Sequence, residues 1–320
     1  MDLLSIIKKK VGKFSKTISE DGLEAVVNHI VIAESHYDNA NNGEEHLYTD
    51  VVYRTNQAFE GAVNEAYRLL AGGDPNRKRP YEIEAHFDSS NILRPRVLFQ
   101  LSNYRKEWRN KSTHDYTLDF NSQEAILAIV SVTAFFNILL DQMLEKISSD
   151  REKEKLSKNI KNREVVEGYN SLDFKDQCVA LLRAFSSELK NDKDEDIPKI
   201  EFELIGRISG FITSYDNSIE IGSEIPIDHA SGKLQVDLLL TKGGSKIIVE
   251  VKRPSQQYDR KSIKAEQQVK HYLAASNLTH GIVFAPVLRS STKYEHRENK
   301  FNVRDGEVNV VLLTPAIRNA

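Results

Sequence analysis

The chain has 320 residues, 40% of them hydrophobic and 28% charged, which predicts a folded protein of about two ordinary domains and excludes a disordered one. The formal net charge of −3 means that a nucleic-acid surface, if there is one, must be local, with Lys and Arg gathered on one face. Cys178 is the single cysteine, so an intramolecular disulfide and a cysteine-built zinc site are both excluded, and a reducing cytoplasm fits.

Met1 to Lys10 sets an apolar patch ahead of its lysines, the reverse of a secretory signal. The first half, to about residue 148, reads as helical. Val51 to Leu70 carries apolar residues at near-helical spacing, with Gly72-Gly73 and Pro75 to stop it. Leu93 to Trp108 follows, with Pro95 near its start. Asn121, with Glu124 three residues on, opens a helix through about Leu144 as a capping box would. The uncharged run Ala125 to Leu140 inside it is shorter than the ~18–20 residues that span a bilayer, so it reads as a buried core helix and no membrane partner is expected.

Ser148 to Glu167 is nearly all charge and amide and reads as a solvated helix or a linker. The domains are drawn as 1–148, a charged joint over 149–170, and 171–320. Beyond the joint, Phe174 to Leu189 and Ile200 to Ile212 read as amphipathic helices. Ile219 to Ile227, Leu234 to Leu240 and Ile247 to Val251 read as strands, the last two joined by a turn at Gly243-Gly244. A helix over Ile263 to Ala275 and strands over Gly281 to Val287 and Val308 to Leu313 complete the order. The fold class is therefore an α+β chain of two domains, an all-α bundle followed by a mixed sheet flanked by helices.

Three residues of the second domain carry chemistry. Glu250 interrupts the apolar strand Ile247-Ile248-Val249-Glu250-Val251, where a carboxylate is costly unless it is paired or bound to metal. Glu250 and Lys252 are two apart on a strand and share a face. The Gly243-Gly244 hairpin can bring Asp237 beside them. Two adjacent carboxylates make a hard-oxygen site for Mg²⁺ or Mn²⁺, which can polarise a phosphodiester and lower the pKa of a bound water.

Asp237, a gap of twelve residues, then Glu250-Val251-Lys252 resembles the PD-(D/E)XK nuclease superfamily, which includes restriction endonucleases. Val236 stands where that superfamily's motif has proline. Gln268-Val269-Lys270-His271-Tyr272 is similar to the Gln-x-x-x-Tyr element of RecB-like and Mrr-like members, whose glutamine supports the active centre. The four-residue spacing puts Gln268 and Tyr272 on one helical face. Many members add a glutamate from the first core helix. Glu201 and Glu203 are the candidates, and Glu201, which shares a face with Leu204, Ile205 and Ile208, is preferred. The resemblance, over residues 172–315, implies a restriction-endonuclease-like fold and a Mg²⁺-dependent or Mn²⁺-dependent endonuclease. Asp237 and Glu250 would hold the metal, Lys252 would assist, and DNA rather than RNA would be the substrate. Arg253, Arg260, Lys261 and Lys264 after the motif read either as a phosphate track or as a solvated helix start. His271 and His280 are too scattered to nominate as a metal site.

In the first half, Arg109-Asn110-Lys111-Ser112-Thr113-His114 falls in what reads as a loop between two helices. Arg109, Asn110 and His114 resemble the motif of the HEPN domain, a helical bundle of prokaryotic toxin, CRISPR-associated and phage-defence proteins. The resemblance implies a homodimer and partner proteins of a defence system. It also offers a rival activity, metal-independent cleavage of RNA. There His114 would act as acid or base and Arg109 would bind the phosphate, with Arg105, Lys106 and Lys111 adding positive charge. A second rival is a non-catalytic nucleic-acid-binding or assembly subunit.

Overall fold

Helices form first along the chain, and they bury aromatic side chains. The structure, a computed structural model, describes residues 2–15, 17, 19–114, 119–158, 168–193, 196–229, 232–253, 258–287, 294–303 and 306–315. It divides into two compact units, Met1–Lys146 and Ile147–Ala320.

Unit 1 contains α1 (Leu3–Val11), α2 (Glu20–Asn41), α3 (Leu47–Leu70), α4 (Pro80–Ser90), α5 (Pro95–Tyr104), α6 (Asn110–His114) and the first part of α7 (Ser122–Lys158). Pro80 and Pro95 open α4 and α5, where a missing N–H costs nothing. Asn121 and Glu124 form the reciprocal cap at the start of α7: Asn121 N–H donates to Glu124 Oε2 at 3.0 Å, and Glu124 N–H donates to Asn121 Oδ1 at 3.1 Å. Phe59 stacks on Tyr104 with ring centroids 4.6 Å apart and tilts against Phe135 at 5.3 Å. These rings, with Phe87 and Phe136, are among the largest fully buried side chains. One face of α7 enters this core through Ala128, Val132 and Phe135, while Leu127 and Val130 on its other side are exposed. By length and composition α7 could cross a membrane, but half of its most apolar stretch is buried inside the protein.

Two sequence expectations are corrected here. The helix predicted to end near Leu144 runs on to Lys158, so the first part of the charged joint is helical. Arg109 to His114 is not a loop. A π-helical turn over Arg105–Arg109 joins α5 directly to α6. No Gly or Pro interrupts these residues, so the backbone absorbs an extra residue rather than breaking.

Unit 2 adds α8 (Phe174–Lys190), α9 (Glu201–Tyr215), β1 (Glu220–His229), β2 (Gly232–Lys242), β3 (Ser245–Val251), α10 (Tyr258–Ser276), β4 (His280–Phe284), β5 (Tyr294–Val303) and β6 (Gly306–Pro315). The six strands make one mixed sheet in the order β1-β2-β3-β4-β6-β5. β3–β4 and β4–β6 are parallel, and the other three pairs are antiparallel. α10 is the crossover between the parallel strands β3 and β4, which antiparallel hairpins do not need. Leu238, Leu240, Val249, Ile282 and Leu313 pack with α8 and α9, whereas Ile248, Val283, Val310 and Leu312 pack with α10. Helices on both sides explain why β3 is an unbroken apolar run apart from Glu250. Gly243 and Gly244 both have positive φ, 56° and 86°, and close the β2–β3 hairpin in two residues as such a turn requires. β5 has no counterpart among the predicted strands. Its sequence, YEHRENKFNV, lacks the apolar alternation of a half-buried strand because it lies at the edge of the sheet.

Candidate active site

The β2–β3 ladder runs from Lys242↔Ser245 to Leu238↔Val249. One step further, Asp237 and Glu250 stand across from each other where the strands part. The side chain of Asp237 replaces the next rung: Val251 N–H donates to Asp237 Oδ2 at 2.7 Å. The following amide, Lys252 N–H, donates to Phe284 O at 2.7 Å and keeps β3 on β4. The carboxylate of Asp237 is thereby fixed beside the end of β3.

Glu250 is 1% exposed. Its Oε1 is held by the ammonium of Lys252, so the two side chains share a face as their spacing predicts. Its Oε2 is buried with no hydrogen-bond partner. Burial, and then the charge of Glu250, pushes Asp237 up to about 7; the Val251 amide and the Lys252 ammonium oppose the rise. Burial also raises Glu250, against the hydrogen bond and charge of Lys252, and Glu201 adds to the rise.

Glu201 opens α9 and is 43% exposed, with Oε2 3.8 Å from Arg253 Nε. Its charge is felt at both carboxylates. Glu203 is spent on the helix start, where its Oε2 accepts Lys199 N–H and Ile200 N–H at 3.2 Å each. Gln268 does not reach the carboxylates. It is exposed, and its Nε2 donates to the hydroxyl of Tyr272. Tyr272 is 6% exposed and raised, chiefly by burial and further by the charges of Glu250 and Asp237. The glutamine is therefore bonded to a tyrosine that feels the charge of both acids. Arg253 and Lys264 are exposed, while the side chains of Arg260 and Lys261 lie outside the described residues.

The donor set fits a divalent cation. A buried and a half-buried carboxylate, both with raised proton affinity, need a shared positive charge, and Glu250 Oε2 has an unmet acceptor. Among the described residues no three His, Cys, Asp or Glu side chains are placed to hold a metal ion together. Mg²⁺ does not require three, because it keeps several waters and is commonly held by one or two carboxylates.

At the other end of the β2–β3 hairpin lies a cavity of about 980 Å³, lined by Tyr169, Thr213, Tyr215, Asp216, Asn217 and Lys242 among others. Its charges are satisfied internally. Asp216 Oδ2 accepts from Tyr169 OH and Lys242 Nζ, each at 2.8 Å, and Lys242 Nζ also donates to Gln177 Oε1 at 2.9 Å.

In unit 1, Arg109 Nε donates to Glu60 Oε1 at 3.4 Å and its Nη1 donates to Asn110 Oδ1 at 3.2 Å. Arg105 pairs with Asp88 at 3.1 Å and Glu84 at 3.4 Å, and Lys111 with Glu107 at 2.7 Å. His114 closes α6, and its side chain lies outside the described residues. A buried relay that the sequence did not reveal anchors this turn. Tyr104 OH donates to Asn56 Oδ1 at 3.1 Å, Asn56 Nδ2 to Ser112 Oγ at 2.6 Å, and Ser112 Oγ to Arg109 O at 3.2 Å. The available signal was Asn56 in the middle of an amphipathic helix, where an amide needs a partner if buried.

Comparison with protein-family models, with curated proteins and with solved structures finds no match to this chain.

Proposed function

We propose that unit 2 is a metal-dependent nuclease of the PD-(D/E)XK type that hydrolyses phosphodiester bonds, with DNA as the expected substrate and RNA the alternative. The observation that carries this reading is Asp237, pushed up to about 7, facing a buried Glu250 that has one unpartnered oxygen and one held by Lys252. A pair of acids so perturbed is more typical of a functional site than of a solvated sheet face.

Asp237 and Glu250 would hold Mg²⁺ or Mn²⁺. When bound, the ion supplies a Lewis acid for the phosphoryl oxygen and a water of lowered pKa. The Val251 amide holds Asp237 in place for this work. Lys252, whose ammonium is bonded to Glu250, would stabilise charge developing on the phosphoryl oxygens. Glu201, at the start of α9 with its charge felt at both acids, would add a third carboxylate to the set. Gln268 would orient Tyr272, which feels the charge of the acids.

For unit 1 the proposal is a HEPN-like bundle that forms a homodimer. With partner proteins, it would place the enzyme in cytoplasmic defence against phage or foreign DNA. That part rests on the resemblance of Arg109, Asn110 and His114 alone. One observation favours a second reading, metal-independent cleavage of RNA: Arg109 closes a π-helical turn, a feature frequent at functional sites.

The test is cleavage of DNA and RNA with Mg²⁺ or with EDTA. Asp237→Ala and Glu250→Ala should each abolish metal-dependent cutting with an unchanged circular dichroism spectrum; undiminished cutting by both refutes the assignment. Cutting of RNA that survives EDTA and is lost in His114→Ala selects the second reading.

A further inference from the structure

Both strands of the β1–β2 hairpin change the face they present at a single rung. On β2, Leu238 and Leu240 join the core under α8 and α9, whereas Leu234 and Val236 join the core under α10. On β1, Ile221 packs on the first core, whereas Ile225 and Ile227 pack on the second. A regular strand keeps residues of one parity on one face. The register is the same on either side of the change, with Ser223↔Leu238 before it and Ile225↔Val236 after it. The rung between is Glu224 opposite Asp237, and it is missing from the ladder.

Glu224 has φ 53°, the left-handed region that non-glycine residues seldom enter. Gln235, two residues before Asp237, holds it there: Gln235 Nε2 donates to Glu224 Oε2 at 2.9 Å and to Glu224 O at 3.4 Å. Gly222 provides the room. A Cβ at that position would lie 2.8 Å from Cδ1 of Ile225, the first side chain to swing to the new face. Backbone strain of this kind persists only where its surroundings impose it, and it gathers at functional sites. In a regular β2, Asp237 would point to one face of the sheet. Turned at this rung, its carboxylate meets the backbone amide of Val251 instead.

We infer that Glu224 is a positioning residue: its left-handed backbone, with Gly222 making space, turns β2 over at Asp237 and aims that carboxylate at the end of β3 beside Glu250. This role rests on the nuclease reading, in which Asp237 holds the ion. What matters at position 224 is the conformation, not the charge.

Two readouts test it. The first is the Val251 amide proton in the metal-free protein, its chemical shift and hydrogen exchange, with Asp237→Ala marking the signature of a lost carboxylate. The second is turnover with saturating Mg²⁺. Glu224→Gly and Glu224→Asn, which accept positive φ, should leave both readouts within about twofold of the parent. Glu224→Val should shift the Val251 amide towards the Asp237→Ala position, speed its exchange at least about tenfold and lower turnover at least about tenfold. Gly222→Ala should do the same in milder form, and pairing it with Ile225→Ala should restore the amide. Should Glu224→Val fail to fold, the Gly222→Ala pair decides. An unmoved Val251 amide in Glu224→Val, or a failed restoration in the Gly222→Ala pair, overturns the role. So does loss of turnover in Glu224→Gly, Glu224→Asn and Glu224→Gln alike with the amide unmoved, which would make Glu224 a direct acidic group. If the parent cuts nothing with Mg²⁺, the nuclease reading fails, and the Val251 amide in the same variants still decides whether Glu224 sets Asp237.

Discussion

Asp237 accepts the backbone N–H of Val251 at 2.7 Å, so a side chain of β2 completes the hydrogen bonding of β3 where the strands diverge. The carboxylate is thus part of the sheet's architecture as well as part of the acidic pair, and removing its charge and removing its oxygens are different experiments.

Asp237 rises from an ordinary 3.8 to about 7, so between those values the native state keeps a proton that the unfolded chain has released. The resulting stability is complete below about pH 4 and is lost as pH rises through about 7. Metal-free protein should therefore lose on the order of 2–4 kcal/mol from this group between about pH 5 and pH 8. Asp237→Asn, which keeps an acceptor for the Val251 amide, should flatten that slope. Urea denaturation midpoints across the range measure it, and equal slopes in the two proteins contradict the assignment.

Divalent cation should reverse the loss. At pH 8, Mg²⁺ or Mn²⁺ at about 100 times its dissociation constant should add about 2.7 kcal/mol by mass action. The gain should vanish in Asp237→Ala and in Glu250→Ala. A melting temperature that Mn²⁺ leaves unchanged in the parent protein would argue against a metal at this pair.

Lys252 is the cation that Glu250 relies on in the free protein. Lys252→Ala should destabilise by about 1–3 kcal/mol, less than for a fully enclosed pair because the lysine side chain is 28% exposed. Cleavage should fall about 100-fold or more, as for loss of a group aimed at developing charge. Cutting rates within threefold of the parent would remove Lys252 from the chemistry.

Gln268 and Tyr272 should behave as one unit. Tyr272→Phe and Gln268→Ala should each cost about 0.5–1.5 kcal/mol, the range of a single neutral hydrogen bond. Each should lower cleavage by less than about tenfold, and the double variant should be no worse than the more severe single one. Additive losses would mean that Gln268 has a partner other than the tyrosine.

Arg207 ties α9 to the end of α7 and to the turn after α8, with Nε 2.6 Å from Glu152 Oε2 and Nη2 2.6 Å from Asp192 Oδ2. Glu152 is 2% exposed, so Arg207→Met strands a buried charge and should cost about 3–5 kcal/mol. Replacing Glu152 by Met as well should recover most of that loss in a denaturant titration, whereas a further drop would show that packing, not charge, holds the helices.

The acid pair was legible because Glu250 breaks the run Ile247 to Val251, where only a paired or bound carboxylate is affordable, and because the Gly243-Gly244 turn fixes what can lie across from it. The order of elements in unit 2 followed from its apolar strands. β5 did not, since its residues answer to an edge and not to a core. The turn at Glu224 left no trace either: glutamate carries no signal for positive φ, and the phase change shows only when the two cores are known. Nor did the π-helical turn before Asn110, because its composition is that of any helix. Gln268 was read on the right helical face, but its bond to Tyr272 depends on how deeply the tyrosine sits.

The two borders of the sheet share a property. On one, Pro226 lacks an amide proton and Glu224 twists the strand out of line; on the other, Glu295, Arg297, Glu298 and Lys300 crowd charge along β5. Neither border offers a flat template on which a stray strand could zip. Concentrated or freshly made copies should therefore resist seeding one another into fibrils, however apolar the interior they enclose.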